Sequence, residues 1–374
     1  SGAGSEVKFF CEVFELGLCQ YYGTVFFSTF KRGGISMPGN IIHAYAAPAA
    51  NEALKPFEFD AGELGPEEVE IQVESCGICY SDFSMIQNEW GIAQFPLVPG
   101  HEIVGTVIRT GEQARRIQVG QKAGVGWYTS SCMHCQQCMG GHQNLCAEGQ
   151  ATIVGHHGGF ADRVRAHWSH AIPLPEGIDA KKAGPLFCGG ITVFNPIIQN
   201  KVKSTDRVGV VGIGGLGHMA LQFLNKWGCE VSAFTSTAAK AEEAKTLGAH
   251  HIVNSRDDSE LAKVAGKFDM ILVTANAALN WDLYVNALAP RGTLHFVGAV
   301  LEPLNLAVFP LIMGQKSISA SPVGSPGTIK TMLEFCARHQ IAPVTEHFKM
   351  SEVNQALEHL ESGKARYRIV LENT

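Results

Sequence analysis

Val208-Gly209-Val210-Val211-Gly212-Ile213-Gly214-Gly215-Leu216-Gly217 sits just past the middle of a 374-residue chain. Its apolar start reads as a buried strand over 208–211, and the amphipathic run over 216–227 reads as the helix it feeds. Between them, Gly212-Ile213-Gly214-Gly215-Leu216-Gly217 fits G-x-G-x-x-G in the strand-to-helix setting that the motif needs. Glycines let such a turn close tightly and let a pyrophosphate approach the backbone at a helix N-terminus. The stretch therefore predicts a dinucleotide site. The bland alternative, a tight turn without a ligand, is disfavoured by that flanking pattern.

The same rhythm continues downstream. Strands are predicted over 231–234, 251–253, 270–273 and 293–297, alternating with helices over 238–247, 259–265 and 281–288. Alternating strands and helices build βαβ units and an α/β fold around a doubly wound, Rossmann-type parallel sheet. Residues 41–185 read differently, as short strands and turns punctuated by Gly and Pro. Glu68-Val69-Glu70-Ile71-Gln72-Val73 alternates polar and apolar, as a half-buried strand should, and 103–108 reads as a buried strand. Two amphipathic helices, over 329–339 and 353–362, precede an apolar strand over 367–371 that is expected to rejoin this β-rich domain.

An NAD site would place Asp or Glu at the end of the second strand, on the ribose 2′-hydroxyl. Here that position reads Thr235-Ser236-Thr237, followed by Lys240. Hydroxyls and a cation suit a 2′-phosphate, so NADP is the expected cofactor. A plain solvated lysine is the other reading of Lys240. Composition is globular, with 45% hydrophobic residues and only 17% charged, and the net charge of −6 leaves no basic footprint for nucleic acid. Residues 1–36 carry Phe9, Phe10, Tyr21, Tyr22, Phe26, Phe27 and Phe30 with no period, and Glu12 and Glu15 interrupt them. That excludes a signal peptide and a membrane span. The expectation is a tag-like, disordered leader, with Met37 as the natural start and no membrane partner.

Eleven cysteines in so long a chain call for metal rather than disulfide staples, and for a reducing, cytoplasmic setting. Cys132-x-x-Cys135-x-x-Cys138-x7-Cys146 puts four thiols on one loop. Four cysteines fill a zinc's tetrahedral shell, so this site is expected to be structural; an iron–sulfur cluster fits the spacing less well. His134 and His142 are read as bystanders, Cys76, Cys229 and Cys336 as packing residues, and Cys11 and Cys19 as part of the leader.

A second set is dispersed: Gly77-Ile78-Cys79-Tyr80-Ser81-Asp82, Pro99-Gly100-His101-Glu102 and Phe187-Cys188-Gly189-Gly190-Ile191-Thr192. At these motifs the sequence resembles the zinc-dependent alcohol dehydrogenases of the medium-chain dehydrogenase/reductase family, most closely the cinnamyl-alcohol-dehydrogenase-like branch. The resemblance runs from about Met37 to the C-terminus. It implies a β-rich, GroES-like catalytic domain over 37–189 and 325–374, and a dinucleotide-binding Rossmann domain over 190–324. It implies Cys79, His101 and Cys188 as ligands of a catalytic zinc, with Glu102 as a fourth ligand in resting states; three protein ligands leave a position open. Ser81 matches the hydroxyl that takes the alcohol's proton, and Asp82 the carboxylate that orients the histidine ligand. Where the family often continues its proton relay with a histidine, this chain has Ser84, which leaves the exit route open. Thr192 matches a residue beside the nicotinamide. Thr274, Val297-Gly298-Ala299 and Ser321-Pro322-Val323 match segments lining the cofactor, and Arg368 a basic residue near the pyrophosphate. A homodimer built through cofactor-domain edges is also implied.

The expected reaction is RCH2OH + NADP⁺ ⇌ RCHO + NADPH + H⁺, run chiefly as reduction of aromatic or medium-chain aldehydes, with two zinc ions per chain. Trp90, Trp127 and Tyr128 flank the zinc motifs and either line an apolar pocket or pack the core. A polyol dehydrogenase is the rival enzyme and would want an acidic cofactor residue. A zinc-binding interaction module is the non-enzyme rival, opposed by the charge balance and the dinucleotide motif.

Overall fold

In the computed structural model, which describes residues 39–236, 238–300 and 302–373, the chain starts with a hairpin of β1 (Ile41–Ala46) and β2 (Lys55–Asp60). The leader expected over 1–36, Met37, Cys11, Cys19 and Thr237 lie outside the described residues. β3 (Glu68–Ile78), β4 (Glu102–Thr110) and β5 (Lys122–Val125) then run antiparallel. β6 (Tyr128–Ser130) and β7 (Gln150–Ala151) pair on either side of the cysteine-rich loop, and β8 (Arg163–His167) and β9 (Ile172–Pro173) return to the main sheet.

From residue 207 pairing turns parallel. β10 (Arg207–Val211), β11 (Glu230–Thr235), β12 (His251–Asn254), β13 (Phe268–Val273), β14 (Leu288–Phe296) and β15 (Ser317–Ala320) lie in the order β12-β11-β10-β13-β14-β15. Four of the five residues of β10 are buried, as a parallel strand covered on both faces requires. Strand order reverses between β10 and β13, which opens a crevice at their carboxyl ends. The helix Gly217–Trp227 buries Met219, Ala220, Phe223 and Leu224 on one side and ends at Gly228, whose φ of 105° is the left-handed stop that glycine allows.

The chain then comes back. β16 (Thr345–Lys349) pairs with β17 (Arg368–Glu372), and β17 runs antiparallel to β3, completing a sheet ordered β16-β17-β3-β4-β5-β9 with β8 on β3. One core cluster serves both sheets: Phe187, Ile191 and Phe194 at and near the helix Gly189–Gln199 pack with Val208, Met219 and Met332. That helix joins the two halves.

Three readings need correction. Glu70 is not on a solvent face: it is fully buried and accepts from Arg165 Nε at 2.8 Å and Arg163 Nη1 at 3.2 Å. β3 is central, so its polar position is covered by β8 and balanced by arginines rather than by water. The helix Tyr80–Gln87 lies within the stretch that reads as short strands and turns, and the helix Gly189–Gln199 was not expected from sequence. The helix expected from 329 starts at Pro326, because Ser325 Oγ caps it by accepting from Thr328 N at 3.3 Å. Among the described residues, no helix is long and apolar enough to cross a membrane.

Candidate functional site: a cysteine–histidine cluster beside a glycine turn

Cys79 ends β3's run and caps the helix Tyr80–Gln87, so its thiol, Ser81 and Asp82 share one tight turn. Asp82 is fully buried and works as a clamp. Its Oδ2 accepts from Cys79 N at 2.9 Å, while Oδ1 accepts from Gly100 N at 2.8 Å and pairs with His101 Nδ1 at 2.9 Å. A carboxylate on Nδ1 turns the other ring nitrogen toward the cluster. His101 Nε2 lies 3.2 Å from Cys188 Sγ, Cys188 Sγ lies 3.8 Å from Cys79 Sγ, and Ser81 Oγ lies 3.6 Å from Cys79 Sγ. Glu102 Oε1 pairs with Arg368 Nη2, and its buried Oε2 has no hydrogen-bond partner among the described residues.

The donor atoms of Cys79, His101, Glu102 and Cys188 all fall within 4.8 Å of one another. Zinc–sulfur arms of about 2.3 Å put the sulfurs of a tetrahedron about 3.8 Å apart, which is the Cys79–Cys188 separation. A disulfide would need about 2.05 Å. The Cys188 hydrogen bond, against burial, holds the Cys79 thiol well below its usual range, with His101 adding to it; the same bond and burial push Cys188 up. Burial opposes charge on His101, but the Asp82 carboxylate beside it wins and raises it. Such a cluster keeps protons that a bound cation would displace.

The second cysteine set is a separate lobe. Cys132 Sγ–Cys138 Sγ and Cys135 Sγ–Cys146 Sγ are both 3.9 Å, again tetrahedral edges, and backbone N–H groups of Cys135, Cys138 and Cys132 point at Cys132, Cys135 and Cys146 sulfurs at 3.3–3.5 Å. The Cys132 thiol is pulled to about 6, chiefly by the His134 backbone N–H, while burial pushes Cys146 to about 12. His134 contacts the Cys132 carbonyl through Nδ1 at 2.6 Å.

The glycine turn adjoins the first cluster. Gly212 has φ 89°, and a Cβ at Gly217 would sit 2.0 Å from the Gly212 carbonyl oxygen, so neither position admits a side chain. A Cβ at Gly214 would meet nothing within 4 Å, so that face of the turn is open to a ligand. Ile213 is buried beneath the turn, and Leu216 packs toward the core. Thr274, at the end of β13, closes the crevice from the far side: its Oγ1 donates to the Gly212 carbonyl at 2.6 Å. Gly189, the residue after Cys188, has its Cβ position 3.7 Å from the Gly215 carbonyl oxygen. Arg368 spans the gap, with Nη2 on Glu102 and Nη1 3.0 Å from the Cβ position of Gly215.

Several of the remaining predicted residues stand at or just past the carboxyl ends of parallel strands. Thr235 is buried at the end of β11, followed by half-buried Ser236 and Lys240. Val297 and Gly298 donate to the Val273 carbonyl at 3.0 and 3.1 Å, and exposed Ala299 follows. Ser321 N donates to the Phe296 carbonyl at 3.3 Å, leading into exposed Pro322 and half-buried Val323. Thr192 is buried in the first turns of Gly189–Gln199 and donates its N–H to the Cys188 carbonyl at 3.0 Å. Ser84 is buried inside its helix. Trp127 stands edge-on to His101, with centroids 4.9 Å apart, and Trp90 is 6.1 Å from Trp127. Tyr128 borders a small cavity with Trp127, Asn144, His170 and Val323. A larger cavity of about 660 Å³, lined by Phe57, Phe59, His156, His157 and Arg163, shares no residue with either cysteine set or the glycine turn. Asn144 and Asn195, which donate to the Val323 carbonyl, and His295, which meets Ser321 Oγ, were not singled out from sequence.

Two family models match the chain: the alcohol dehydrogenase GroES-like domain over residues 65–176 and the zinc-binding dehydrogenase domain over 215–338. The chain belongs to the zinc-dependent alcohol dehydrogenase family, and it is an oxidoreductase of alcohols and aldehydes. It is 58% identical to aldehyde reductase AdhA of Synechocystis over 89% of this chain and 99% of that one. The solved cinnamyl alcohol dehydrogenase SbCAD4 of Sorghum bicolor superposes with a TM-score of 0.85 at 35% identity, covering 89% of this chain and 97% of that one. The Helicobacter pylori cinnamyl alcohol dehydrogenase, solved in complex with NADP(H), gives 0.81 at 28% identity, covering 89% and 98%.

Proposed function

We propose that this enzyme reduces aromatic or medium-chain aldehydes with NADPH at a zinc held by Cys79, His101 and Cys188, with Glu102 able to close the shell at rest. The observation that carries the reading is the tetrahedral 3.8 Å edge between Cys79 and Cys188, set beside a glycine turn at the sheet's switch point. The Cys132, Cys135, Cys138 and Cys146 lobe is read as a second, structural zinc site, making two per chain. Bound zinc supplies Lewis-acid polarisation of a substrate oxygen, and NADPH supplies the hydride.

The chain's own residues do the rest. Asp82 keeps His101's Nδ1 proton and so leaves Nε2 as a donor atom. Ser81 Oγ, 3.6 Å from Cys79 Sγ, is placed to hand its proton to the product oxygen in reduction and to take it back in oxidation. Trp127 and Trp90 form an apolar wall over His101 that excludes water and suits a hydrophobic aldehyde. Thr192 borders the nicotinamide, while Thr274, Val297-Gly298-Ala299 and Ser321-Pro322-Val323 line the cofactor. Arg368 sits between the glycine turn and Glu102. Thr235, Ser236 and Lys240 offer hydroxyls and a cation to a 2′-phosphate, with Thr237 assigned to the same group from sequence.

The catalytic domain is read as 37–189 with 325–374 and the cofactor domain as 190–324. The apolar face of the helix Val308–Gly314, beside the edge strand β15, supports a homodimer. Clustered thiols without disulfides among the described residues support a cytoplasmic setting. Turnover of one aldehyde with NADPH and with NADH tests the cofactor assignment: kcat/KM is expected to be at least about tenfold higher with NADPH, and a preference for NADH contradicts it.

A further inference from the structure

One buried amide of the four-cysteine lobe reaches out of the lobe altogether. Asn144, 8% exposed, donates from Nδ2 to the Val323 carbonyl at 2.9 Å, across 179 residues of sequence. The cysteines fix where it stands. It is the middle residue of the single turn Gln143–Leu145, which Gln143 Nε2 ties to the Cys138 carbonyl at 3.2 Å. The next turn residue leads straight into Cys146, whose N–H closes on the Gln143 carbonyl at 3.1 Å.

Val323 ends the segment 321–323, and that segment is fastened from three sides. Its carbonyl also accepts from Asn195 Nδ2 at 3.4 Å, on the helix that starts just after Cys188 and carries Thr192. Ser321 Oγ meets His295 Nε2 at 2.9 Å. Gly324, next in line, leaves no slack, because a Cβ there would lie 2.7 Å from Ile191 Cδ1. Two of these fasteners come from the cofactor side of the molecule. The third comes from the lobe.

We propose that Asn144 makes the four-cysteine lobe a brace for the cofactor wall, so that the lobe's metal-held shape sets the affinity for NADPH. This rests on the reading above of 321–323 as cofactor-lining and of the lobe as a zinc site. Asn144 is thus a positioning residue that acts through the Val323 carbonyl. Losing a part-buried hydrogen bond shifts an equilibrium by roughly tenfold.

Asn144→Asp is nearly isosteric and removes the donor. Zinc content, the melting temperature, NADPH binding by fluorescence titration and steady-state kinetics are compared with wild type. The expected result is a rise of about tenfold in Kd and KM for NADPH, with zinc content, kcat and the aldehyde KM close to wild type. An unchanged NADPH Kd overturns the proposal, whether or not zinc leaves. A lower melting temperature with that unchanged Kd marks a merely structural amide and overturns it equally. Should Asn144→Asp not fold, Asn144→Ser is read in the same way. A wild-type protein that binds no NADPH or holds a single zinc overturns the proposed function itself, and that is visible before any variant is made.

Discussion

Ser81 and Asp82 are neighbours whose side chains do different work because the helix Tyr80–Gln87 begins beneath them. Asp82, in the first turn, folds back on Cys79 N, Gly100 N and His101 Nδ1, so both its oxygens are spent on positioning. Ser81 keeps its hydroxyl on the cluster side, 3.6 Å from Cys79 Sγ. Ser81→Ala is therefore expected to lower kcat by about 10²-fold while zinc content and NADPH Kd stay at wild-type values, and Ser81→Thr to recover most of the loss. Full kcat in Ser81→Ala would show that another group handles the proton. Legibility divides along the same line. The clustering of Cys79, His101 and Cys188 was readable because two thiols and an imidazole each sit inside a family motif. Asn144, Asn195 and His295 were not, since amides and histidines are common and their partners lie 179, 128 and 24–26 residues away.

At the scale of elements, β14 carries a histidine where a parallel strand normally carries an aliphatic side chain. His295 is fully buried, with Nδ1 2.8 Å from Ser319 Oγ on β15 and Nε2 on Ser321. Burial pushes it to about 4, below the 6.5 expected in the unfolded chain. The unfolded state thus binds the proton more tightly. His295 stabilises the fold fully above about pH 6.5, and that contribution, about 3 kcal/mol at most, is lost as pH falls toward 4. Burial holds His170 and His218 to about 3 as well, so they add the same sign. Melting temperature measured from pH 7.5 to 4 should fall less steeply in His295→Gln than in wild type; parallel curves would contradict this. Elements with an apolar period, such as β10 and Gly217–Trp227, were legible from sequence, whereas β15 was missed. Ser317-Ile318-Ser319-Ala320 has little apolar content, because an edge strand has less to bury. Glu70 was placed on the wrong face for the opposite reason: pattern reports polarity, and only the fold reveals Arg163 and Arg165 around it.

At the scale of the whole molecule, the parallel sheet ends in an apolar surface that the described residues leave uncovered. Val308, Phe309, Ile312 and Met313 are 62–70% exposed on the helix Val308–Gly314, which leads into the edge strand β15. A second copy related by a twofold axis would cover both the face and the edge. Light scattering should give the mass of two chains for wild type and of one for Phe309→Glu; a monomeric wild type would contradict the dimer. The order of domains was legible because the hydrophobic rhythm changes near residue 200, and the helix Gly189–Gln199 that couples them was not, being buried nearly all round. The cysteine–histidine cluster and the glycine turn meet where that helix begins, and Gly324, just after segment 321–323, packs on its Ile191. The most direct test is zinc content and NADPH-dependent aldehyde reduction in Cys188→Ala beside wild type. Two zinc ions are predicted per wild-type chain, about one in the variant, and reduction lowered by at least about 10²-fold. A Cys188→Ala enzyme with both zinc ions and full aldehyde reduction would contradict the zinc-centred mechanism.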